Sequence, residues 1–377
     1  MTMKLKQLIL FAATALLMVG CSGTPDDNPQ PTPNPDDGKE DVVDPAEDTY
    51  TLVADKGAVD ADGVQKVTFS LLNGKGEDLC KSEPGMVKVM NKTTGLWLGY
   101  GKHSFASVRN GEYEFSATYR GYDAQNVVKV KFENRGKIEK YRQSVVVYKI
   151  TGAWCDFCPN MTTSLHEAEK EWGEQMVVVA CHGGNNGPDP FKLSPDVSVA
   201  LLTQYKSSAY PACVYDNNAF VSGASDVENV RKNITTQISK HPATCGVKIT
   251  EASLNGQTLT VKASVRSDKG GSYDLGCVLL EDNLYYAGGS EPSGVYSDVM
   301  RGLAGSFNYY NKATAVDIAA DGEAHKEFTI NGFSVANPKN CKVVVFTLVR
   351  LSNGQTITDN AAVCKVGESM SAYVLNE

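Results

Sequence analysis

A cysteine pair that follows an apolar strand and opens an amphipathic helix restricts the fold of this chain more than any other feature. Cys155 and Cys158 stand in TGAWCDFCPN, directly after the apolar run QSVVVYKI. The helix is predicted from apolar residues that recur on one face, at Met161, Leu165, Ala168 and Trp172. In this context a Cys-x-x-Cys pair indicates redox chemistry.

Strand and helix patterns continue after this motif. QMVVVAC predicts a second apolar strand, and SPDVSVALLTQYKSS predicts a helix that Ser194 would cap. Two short strands, YPACVYDN and AFVSGA, and a closing helix, DVENVRKNITTQISK, complete the series. The order β-α-β-α-β-β-α is that of the thioredoxin fold, so we predict a thioredoxin-like domain over residues 139–242.

Sequences rich in strand-forming residues flank this domain on both sides. Residues 49–138 alternate in segments such as GEYEFSATYRG, with turn sequences NGKG and RNGE, and predict an immunoglobulin-like β-sandwich. Residues 243–377 return to strands punctuated by Gly, Asn and Asp, and predict a C-terminal β-sandwich. The predicted fold class is therefore multi-domain, α/β plus all-β, with the thioredoxin-like domain between the two sandwiches.

The resemblance to the thioredoxin fold implies a role for each cysteine. Cys155 would be the exposed nucleophile that forms a mixed disulfide with a substrate, and Cys158 would be the more buried thiol that resolves it. A helix N-terminus stabilises an anion, so Cys155 should lose its proton more readily than a free cysteine, whose pKa is about 8.5. Pro159 suits the first helical turn, where its missing N–H is no loss.

The dipeptide Tyr210-Pro211 stands directly before a predicted strand, some fifty residues after the motif. In the thioredoxin fold the loop at this place carries a cis-proline that lies against the disulfide and lets substrate backbone dock. The resemblance therefore implies a cis bond at Pro211. Trp154 would shield the site, and Trp154 and Tyr210 would border the docking surface.

Lys149 departs from the thioredoxin pattern. It stands six residues before the first cysteine, where thioredoxins usually carry a buried acid. A charged Lys149 that faces the motif would stabilise the thiolate and make the pair more oxidising. In the alternative, Lys149 faces outward and pairs with a surface acid, since lysine is rarely buried unless it is paired.

A succession of short motifs extends the resemblance over roughly residues 140–310. TGAWCDFCP, VVACHGGNNG, YPACVYDN, VLLEDN and YSDVMRG follow one another in this chain. The series resembles the Bacteroidetes lipoprotein family named for a twenty-eight-kilodalton outer membrane protein, whose members combine a thioredoxin-like module with a β-rich C-terminal domain. The resemblance implies an envelope location and this fold, and it leaves the substrate open.

The first 21 residues predict a bacterial lipoprotein. Lys4 and Lys6 precede a short apolar run that ends in LMVGC, as in a secretory signal. This ending resembles the lipobox, whose cysteine is lipidated, so acylated Cys21 is the expected membrane attachment. An ordinary cleaved signal is the alternative. No later stretch is apolar enough to span a bilayer, and we expect an outer-membrane lipid anchor that faces the periplasm or the cell surface.

Residues 22–48 predict an acidic, proline-rich tether. From Thr24 to Asp48 the chain has nine acidic residues, one lysine and six prolines, with almost nothing to bury. This stretch carries the equivalent of the whole chain's formal net charge of −8, so the remaining chain is close to neutral. No basic patch supports nucleic-acid binding.

Three uses of the cysteine pair stay open from the sequence. The first is thiol–disulfide exchange with the thiols or disulfides of envelope proteins, with no cofactor. The second is a metal site, which needs two further ligands, with Cys181 and His182 as candidates. The third is a non-catalytic surface or periplasmic lipoprotein that uses the thioredoxin fold as a scaffold for binding. Residues 290–302, SEPSGVYSDVMRG, are expected to make an interdomain contact.

Seven further cysteines stand singly, and buried thiols that behave as small apolar side chains account for most of them. Cys181 and Cys213 would flank the motif strand on opposite sides, about 9–10 Å apart, which is too far for a bond. Four in the C-terminal part could form disulfides in three ways. The single cysteines are Cys80, Cys181, Cys213, Cys245, Cys277, Cys341 and Cys364.

Overall fold

The computed structural model of this chain describes residues 48–133, 139–223 and 225–376. The predicted signal peptide, Cys21 and nearly all of the predicted tether lie outside the described residues. The described chain is mostly β-sheet with few helices. Within these ranges, none of the helices has the length and apolar character needed to cross a membrane.

The N-terminal region, residues 48–133, forms two β-sheets around one apolar core. Its elements are β1 Thr51–Ala54, β2 Ala58–Asp60, β3 Val67–Leu72, α1 Leu79–Ser82, β4 Val87–Asn91, β5 Leu96–Trp97, β6 Ser104–Phe105, β7 Gly111–Tyr119, β8 Tyr122–Asp123 and β9 Val128–Glu133. One sheet has the order β1-β3-β6, and the other has the order β2-β9-β7-β4-β5 with β8 beside β7. Alternate residues of β3 and β7 are buried, which is the alternation of a sheet with one face on a core.

The central region contains the predicted series of strands and helices in the predicted order. Its elements are β10 Val145–Thr151, α2 Cys158–Trp172, β11 Met176–His182, α3 Val197–Gln204, β12 Ala212–Tyr215, β13 Ala219–Ser222 and α4 Val227–Lys240. Every residue of β10 and β11 is buried, because helices cover both faces of these strands. The predicted cap of α3 is wrong: Asp196 caps the helix by accepting the N–H of Val199, and the Ser194–Pro195 bond is cis.

The C-terminal region also places two sheets around one apolar core. Its three-stranded sheet has the order β14-β15-β21, and the core lies between this sheet and strands β16, β22 and β23. The elements are β14 Gly246–Asn255, β15 Thr258–Ser267, β16 Gly271–Glu281, β17 Leu284–Tyr285, β18 Val295–Tyr296, β19 Val299–Gly305, β20 Val316–Ile318, β21 Gly322–Asn331, β22 Cys341–Arg350 and β23 Thr356–Lys365.

The central and C-terminal regions share one nine-stranded sheet. Its order is β13-β12-β10-β11-β19-β16-β22-β23, with β20 beside β16. The joint between the regions is parallel, with Ala180 of β11 in register with Val299 of β19. One apolar core covers the joint and combines Tyr148 of the central region with Phe346 of the C-terminal region. The sheet crosses the predicted domain boundary at residues 242–243. Separate folding of residues 139–242 and residues 243–377 therefore stays a prediction.

The N-terminal region meets the helices of the central region through side chains. Among the described residues, no strand of the N-terminal region belongs to the nine-stranded sheet. Arg231 of α4 lies 2.6 Å from the carboxylate of Glu171 and donates to the carbonyl of Trp97. Arg109 donates to the carbonyl of Glu171. Side-chain contacts therefore join the N-terminal region to the central region, whereas a continuous sheet joins the central region to the C-terminal region.

Candidate functional site

The two motif cysteines form a disulfide between the end of β10 and the start of α2. Helix α2 begins at Cys158, and Pro159 occupies its first turn as predicted. The N–H of Cys158 donates to the carbonyl of Cys155 over 3.1 Å, so the four motif residues form a turn that leads into the helix. Cys155 therefore lies just before the helix N-terminus.

Trp154 is held by the loop that follows β11. Its ring N–H donates to the carbonyl of Gly183 over 3.0 Å. The neighbouring N–H of Ala153 donates to the carboxylate of Asp189 over 2.9 Å. Gly184 has a φ of +81°, and a Cβ there would lie 2.7 Å from the Trp154 ring, so only glycine fits. This loop therefore lies directly against the motif.

Tyr210 and Pro211 lie at the same end of the sheet, at the start of β12. The Tyr210–Pro211 bond is cis, as predicted. The next residue, Ala212, is in register with Ile150 of β10. The ring of Tyr210 lies 5.0 Å from the ring of Trp154, and its hydroxyl lies 2.6 Å from the hydroxyl of Ser198. The structure thus brings the two predicted docking residues together beside the motif.

Cys155 is buried, which corrects the prediction that it is the exposed member of the pair. Only 4% of Cys155 and 1% of Cys158 are exposed, whereas Phe157 between them is 69% exposed. Residues 286–294, which join β17 to β18 and which we call the strap, lie against the motif. The N–H of Ser290 donates to the carbonyl of Ala153 over 2.7 Å, and its hydroxyl donates to the carbonyl of Cys155 over 2.9 Å.

The sequence predicted only an interdomain contact for residues 290–302, and that contact is confirmed at Ser290. Its contact with Cys155 was missed, because Ser290 and Cys155 are 135 residues apart in the chain. The available signal was weak: the strap contains Gly288, Gly289 and Gly294, and glycine in such a segment often marks a close backbone approach.

Lys149 is buried beneath α2 and combines elements of both predicted alternatives. It faces the first turns of α2, where its ammonium donates to the hydroxyl of Thr162. It also has an acidic partner, although a buried one: the carboxylate of Glu291, in the strap, lies 3.9 Å from the Lys149 ammonium. The Thr162 hydroxyl donates to the same carboxylate over 2.6 Å. Burial lowers the pKa of Lys149, and Glu291 opposes that shift.

His182 at the end of β11 forms a buried pair with Asp189, 3.0 Å from ring nitrogen Nδ1 to carboxylate. Burial lowers the pKa of His182, although its hydrogen bond with Asp189 acts in the opposite direction. A cavity of about 160 Å³ lies between α2, β11 and the strap. Its lining includes the polar groups of Lys149, His182 and Glu291. No pattern in the sequence indicated that these three side chains would meet.

The arrangement gives no support to the predicted metal alternative. Cys181 and His182 are successive residues of β11, so their side chains point to opposite faces of the sheet. Cys181 packs in the core that covers the α3 face, while His182 contacts Asp189. Across residues 48–133, 139–223 and 225–376, no three His, Cys, Asp or Glu side chains are grouped as metal ligands.

The seven single cysteines are all free thiols, and all but the half-buried Cys80 are buried. Burial raises the pKa of Cys213 to about 12, so this thiol is unreactive at neutral pH. Cys181 and Cys213 lie on the two strands that flank β10 and are unbonded, as predicted. The interpretation of the single cysteines as small apolar side chains is confirmed for the buried six.

Comparison of the sequence with family models finds no match, and comparison with curated proteins finds none. Among solved structures, the fold is similar to that of HBP35 of Porphyromonas gingivalis, with a TM-score of 0.50 and 17% identity over 63% of this chain and 85% of that chain. At this identity the likeness shows a related fold alone. A β-glucosidase from Kluyveromyces marxianus in complex with glucose matches 36% of this chain and 15% of that chain at 10% identity, and its TM-score of 0.19 carries no argument.

Proposed function

We propose that this chain is an envelope-anchored thiol–disulfide oxidoreductase with a thioredoxin-like central domain, and that it acts on cysteines of envelope proteins. The observation that carries the proposal is the Cys155–Cys158 disulfide, which stands at the start of α2 beside the paired rings of Trp154 and Tyr210. The strand order β13-β12-β10-β11 supports it, because thioredoxin-like sheets use this order. A buried strand before the pair and a helix after it complete the context that redox cysteines require.

The chemistry follows from the two cysteines alone. In the reducing direction, the Cys155 thiolate attacks a substrate disulfide, forms a mixed disulfide and releases one substrate thiolate. Cys158 then attacks the Cys155 sulfur, which releases the second substrate thiol and forms the Cys155–Cys158 disulfide. The substrate gains the two electrons that the pair loses, and the same steps in reverse oxidise a substrate.

The anchoring part of the proposal rests on the predicted lipobox. Replacing Cys21 with Ser removes the only sulfur that could be acylated there. We expect the C21S variant to lose fatty-acid labelling and to leave the membrane fraction, while the unmodified protein keeps both. A C21S variant that is still labelled and membrane-bound would contradict lipidation at Cys21.

A second candidate function is favoured by one observation. Both motif cysteines are buried, as expected if the module is a scaffold and the disulfide only stabilises its fold. The two candidates differ in redox behaviour: a catalytic pair exchanges with glutathione and reduces insulin when dithiothreitol keeps it in the dithiol form, whereas a structural disulfide has a potential below about −300 mV and does neither readily.

The test uses the full-length protein in detergent, with the Cys155→Ser and Cys158→Ser variants as controls. We expect equilibration of the unmodified pair with glutathione buffers at a potential between about −270 and −120 mV, the range of known oxidoreductases. Insulin reduction should be lost in both variants. A potential below that of the glutathione pool, together with insulin reduction no faster than in the variants, would support the scaffold function.

A further inference from the structure

We propose that the strap is an internal pseudosubstrate, with Ser290 in the place of a substrate cysteine. The partner that replaces it would be an extended protein segment that carries a cysteine followed directly by an acidic residue. This inference rests on the proposed function, because it describes how a substrate reaches the same disulfide.

The first support is the backbone contact between the strap and the motif. Ser290 donates its N–H to the carbonyl of Ala153 over 2.7 Å, and this main-chain bond can be repeated by any extended peptide. Its hydroxyl reaches the carbonyl of Cys155 at 2.9 Å. Serine and cysteine differ only in the atom on Cβ, so a cysteine here would place its sulfur next to the main-chain carbonyl of Cys155, the residue that a substrate sulfur has to reach.

The second support is the close fit of the residue before Ser290. A Cβ at Gly289 would lie 2.0 Å from the hydroxyl oxygen of Tyr296, so only glycine lets the strap lie this close. The same hydroxyl accepts the N–H of Glu291 over 3.2 Å. The strap is therefore held in one position on either side of Ser290, and a bulkier residue at Gly289 must displace it.

The third support is the charge that follows Ser290. The carboxylate of Glu291 accepts a hydrogen bond from Thr162 and lies 3.9 Å from the ammonium of Lys149. When the strap moves away, Lys149 loses its acidic partner, and an unpaired buried charge is strongly unfavourable. A substrate with Asp or Glu directly after its cysteine would restore the pair. Lys149 is thus the group that would select the segment.

The burial of both cysteines means that part of their surroundings must move before exchange. Cys155 is 4% exposed and the strap is hydrogen-bonded to its carbonyl, so we infer that the strap is the part that moves. At its base the strap continues the short pairing of β17 with β18, in which Leu284 faces Tyr296 and Tyr285 faces Val295, and the N–H of Tyr286 donates to the carbonyl of Gly294 over 2.8 Å. Such a short hairpin is marginal by itself, which suits a segment that has to open.

Disulfide trapping tests the position of Ser290. In the full-length protein, Cys158→Ser removes the resolving thiol and Ser290→Cys supplies a sulfur in the strap. We call the bond between that sulfur and Cys155 the trapped disulfide. Its formation removes two electrons and two protons from the two thiols, and one oxidised glutathione takes them up to become two glutathione thiols. Peptide mass spectrometry under non-reducing conditions identifies the bond.

We expect the trapped disulfide in most molecules of that variant. The matched control combines Cys158→Ser with Ser293→Cys, because Ser293 belongs to the same strap and is exposed. The control should form its bond to Cys155 at least about tenfold less. Equal yields in the two variants, or glutathione on Cys155 in place of the bond, would overturn the inference.

Release of the strap tests its blocking role. Gly289→Ala should raise the rate of insulin reduction by about twofold to tenfold, the effect expected from losing one hydrogen bond that holds the strap closed. Gly57→Ala is the matched control, because a Cβ at Gly57 has no neighbour within 4 Å and should leave the rate unchanged. An unchanged rate in the Gly289→Ala variant would argue against a blocking strap.

Substrate preference tests the role of Lys149. The probes are the peptides GGCEPSG and GGCKPSG, each joined to glutathione by a disulfide. The Gly289→Ala protein should reduce the Cys-Glu peptide about threefold to tenfold faster, and Lys149→Met should remove the difference. Equal rates in the presence of Lys149 would overturn the predicted acidic preference.

The outcomes separate this inference from the proposed function. If the trapped disulfide forms but the unmodified protein neither reduces insulin nor exchanges with glutathione, the oxidoreductase proposal fails and the strap position stands. If insulin is reduced but the trapped disulfide does not form, the pseudosubstrate inference fails and the oxidoreductase proposal stands.

Discussion

The N-terminal and C-terminal regions are both built from two sheets around an apolar core, yet they relate differently to the cysteine site. The N-terminal region contacts the central helices through side chains such as Arg231 and Arg109. The C-terminal region continues the sheet that holds the site and contributes the strap, which is hydrogen-bonded to the carbonyl of Cys155. Two regions of similar construction therefore differ in their relation to the site. The N-terminal region lies outside the site, whereas the C-terminal region contributes residues to it.

The difference predicts which fragments of the chain keep a folded central region. The expected effect is complete loss of that fold in one of two fragments. A fragment of residues 139–377 keeps the nine-stranded sheet, so it should fold and retain the Cys155–Cys158 disulfide. A fragment of residues 49–242 loses β19 and the C-terminal half of the shared core, including Leu280 and Phe346. We expect its residues 139–242 to show no protection in hydrogen-exchange mass spectrometry, whereas its N-terminal region, which keeps its own core, stays protected. Protection of β10 and β11 in the shorter fragment would contradict the shared-sheet interpretation.

Paired core substitutions give the next largest effect. Phe346 and Phe115 are both fully buried, one in the shared core and one in the N-terminal core. Each change to Ala should lower the free energy of unfolding of its own core by about 3–5 kcal/mol. Only Phe346→Ala should speed hydrogen exchange in β10, because Phe346 packs in the same core as Tyr148. Hydrogen-exchange mass spectrometry measures the protection of β10. Equal protection of β10 in the two variants would contradict a core shared by the central and C-terminal regions.

The sequence predicted the local features of the site and missed the long-range ones. The spacing of Met161, Leu165, Ala168 and Trp172 identified the buried face of α2, and the resemblance to the thioredoxin fold implied the cis bond at Pro211. The partner of an edge strand is not encoded locally, so the pairing of β11 with β19 could not be foreseen. The contact of the strap with Cys155 was missed for the same reason.

Lys149→Met measures how far the C-terminal region tunes the site. Methionine keeps the length of the side chain and removes a charge that is shared with Glu291. A charged Lys149 stabilises the thiolate of the reduced pair, so its loss should make the reduction potential more negative, by about 30 mV for each tenfold loss of the reduced form.

Redox titration with glutathione measures the potential. Lys170→Met is the matched control, because Lys170 lies at the far end of the same helix in an exposed pair with Glu167. A Lys149→Met potential within error of the unmodified protein, as for Lys170→Met, would show that Lys149 has no part in the chemistry. The missing acid at this position would then favour the scaffold function.

Substitution of Glu169 on α2 should produce the smallest effect, a change in how stability depends on pH. This effect is specific to the contact with the C-terminal region, since the charged neighbours of Glu169 lie mainly there. Burial raises the pKa of Glu169 to about 7, with Asp298 adding to the shift and Lys342 opposing it. The folded state therefore holds a proton that the unfolded state releases near pH 4.5. The stability from this group is fully present below pH 4.5 and is lost as the pH rises through 7.

Replacing Glu169 with Gln keeps the shape of the protonated form and removes the titration. At pH 8 the E169Q variant should be more stable than the unmodified protein by about 1 kcal/mol, a value reduced for the partial exposure of the side chain. At pH 4 the two should be equal. Glu167→Gln, on the exposed side of the same helix, should show no such pH dependence. Denaturant unfolding at the two pH values measures the difference, and a gain at pH 4 as large as that at pH 8 would mean that Glu169 does not carry the proton. In that case the carboxylates of the C-terminal region would have too little effect on the pKa of Glu169 to make the contact between the two regions depend on pH.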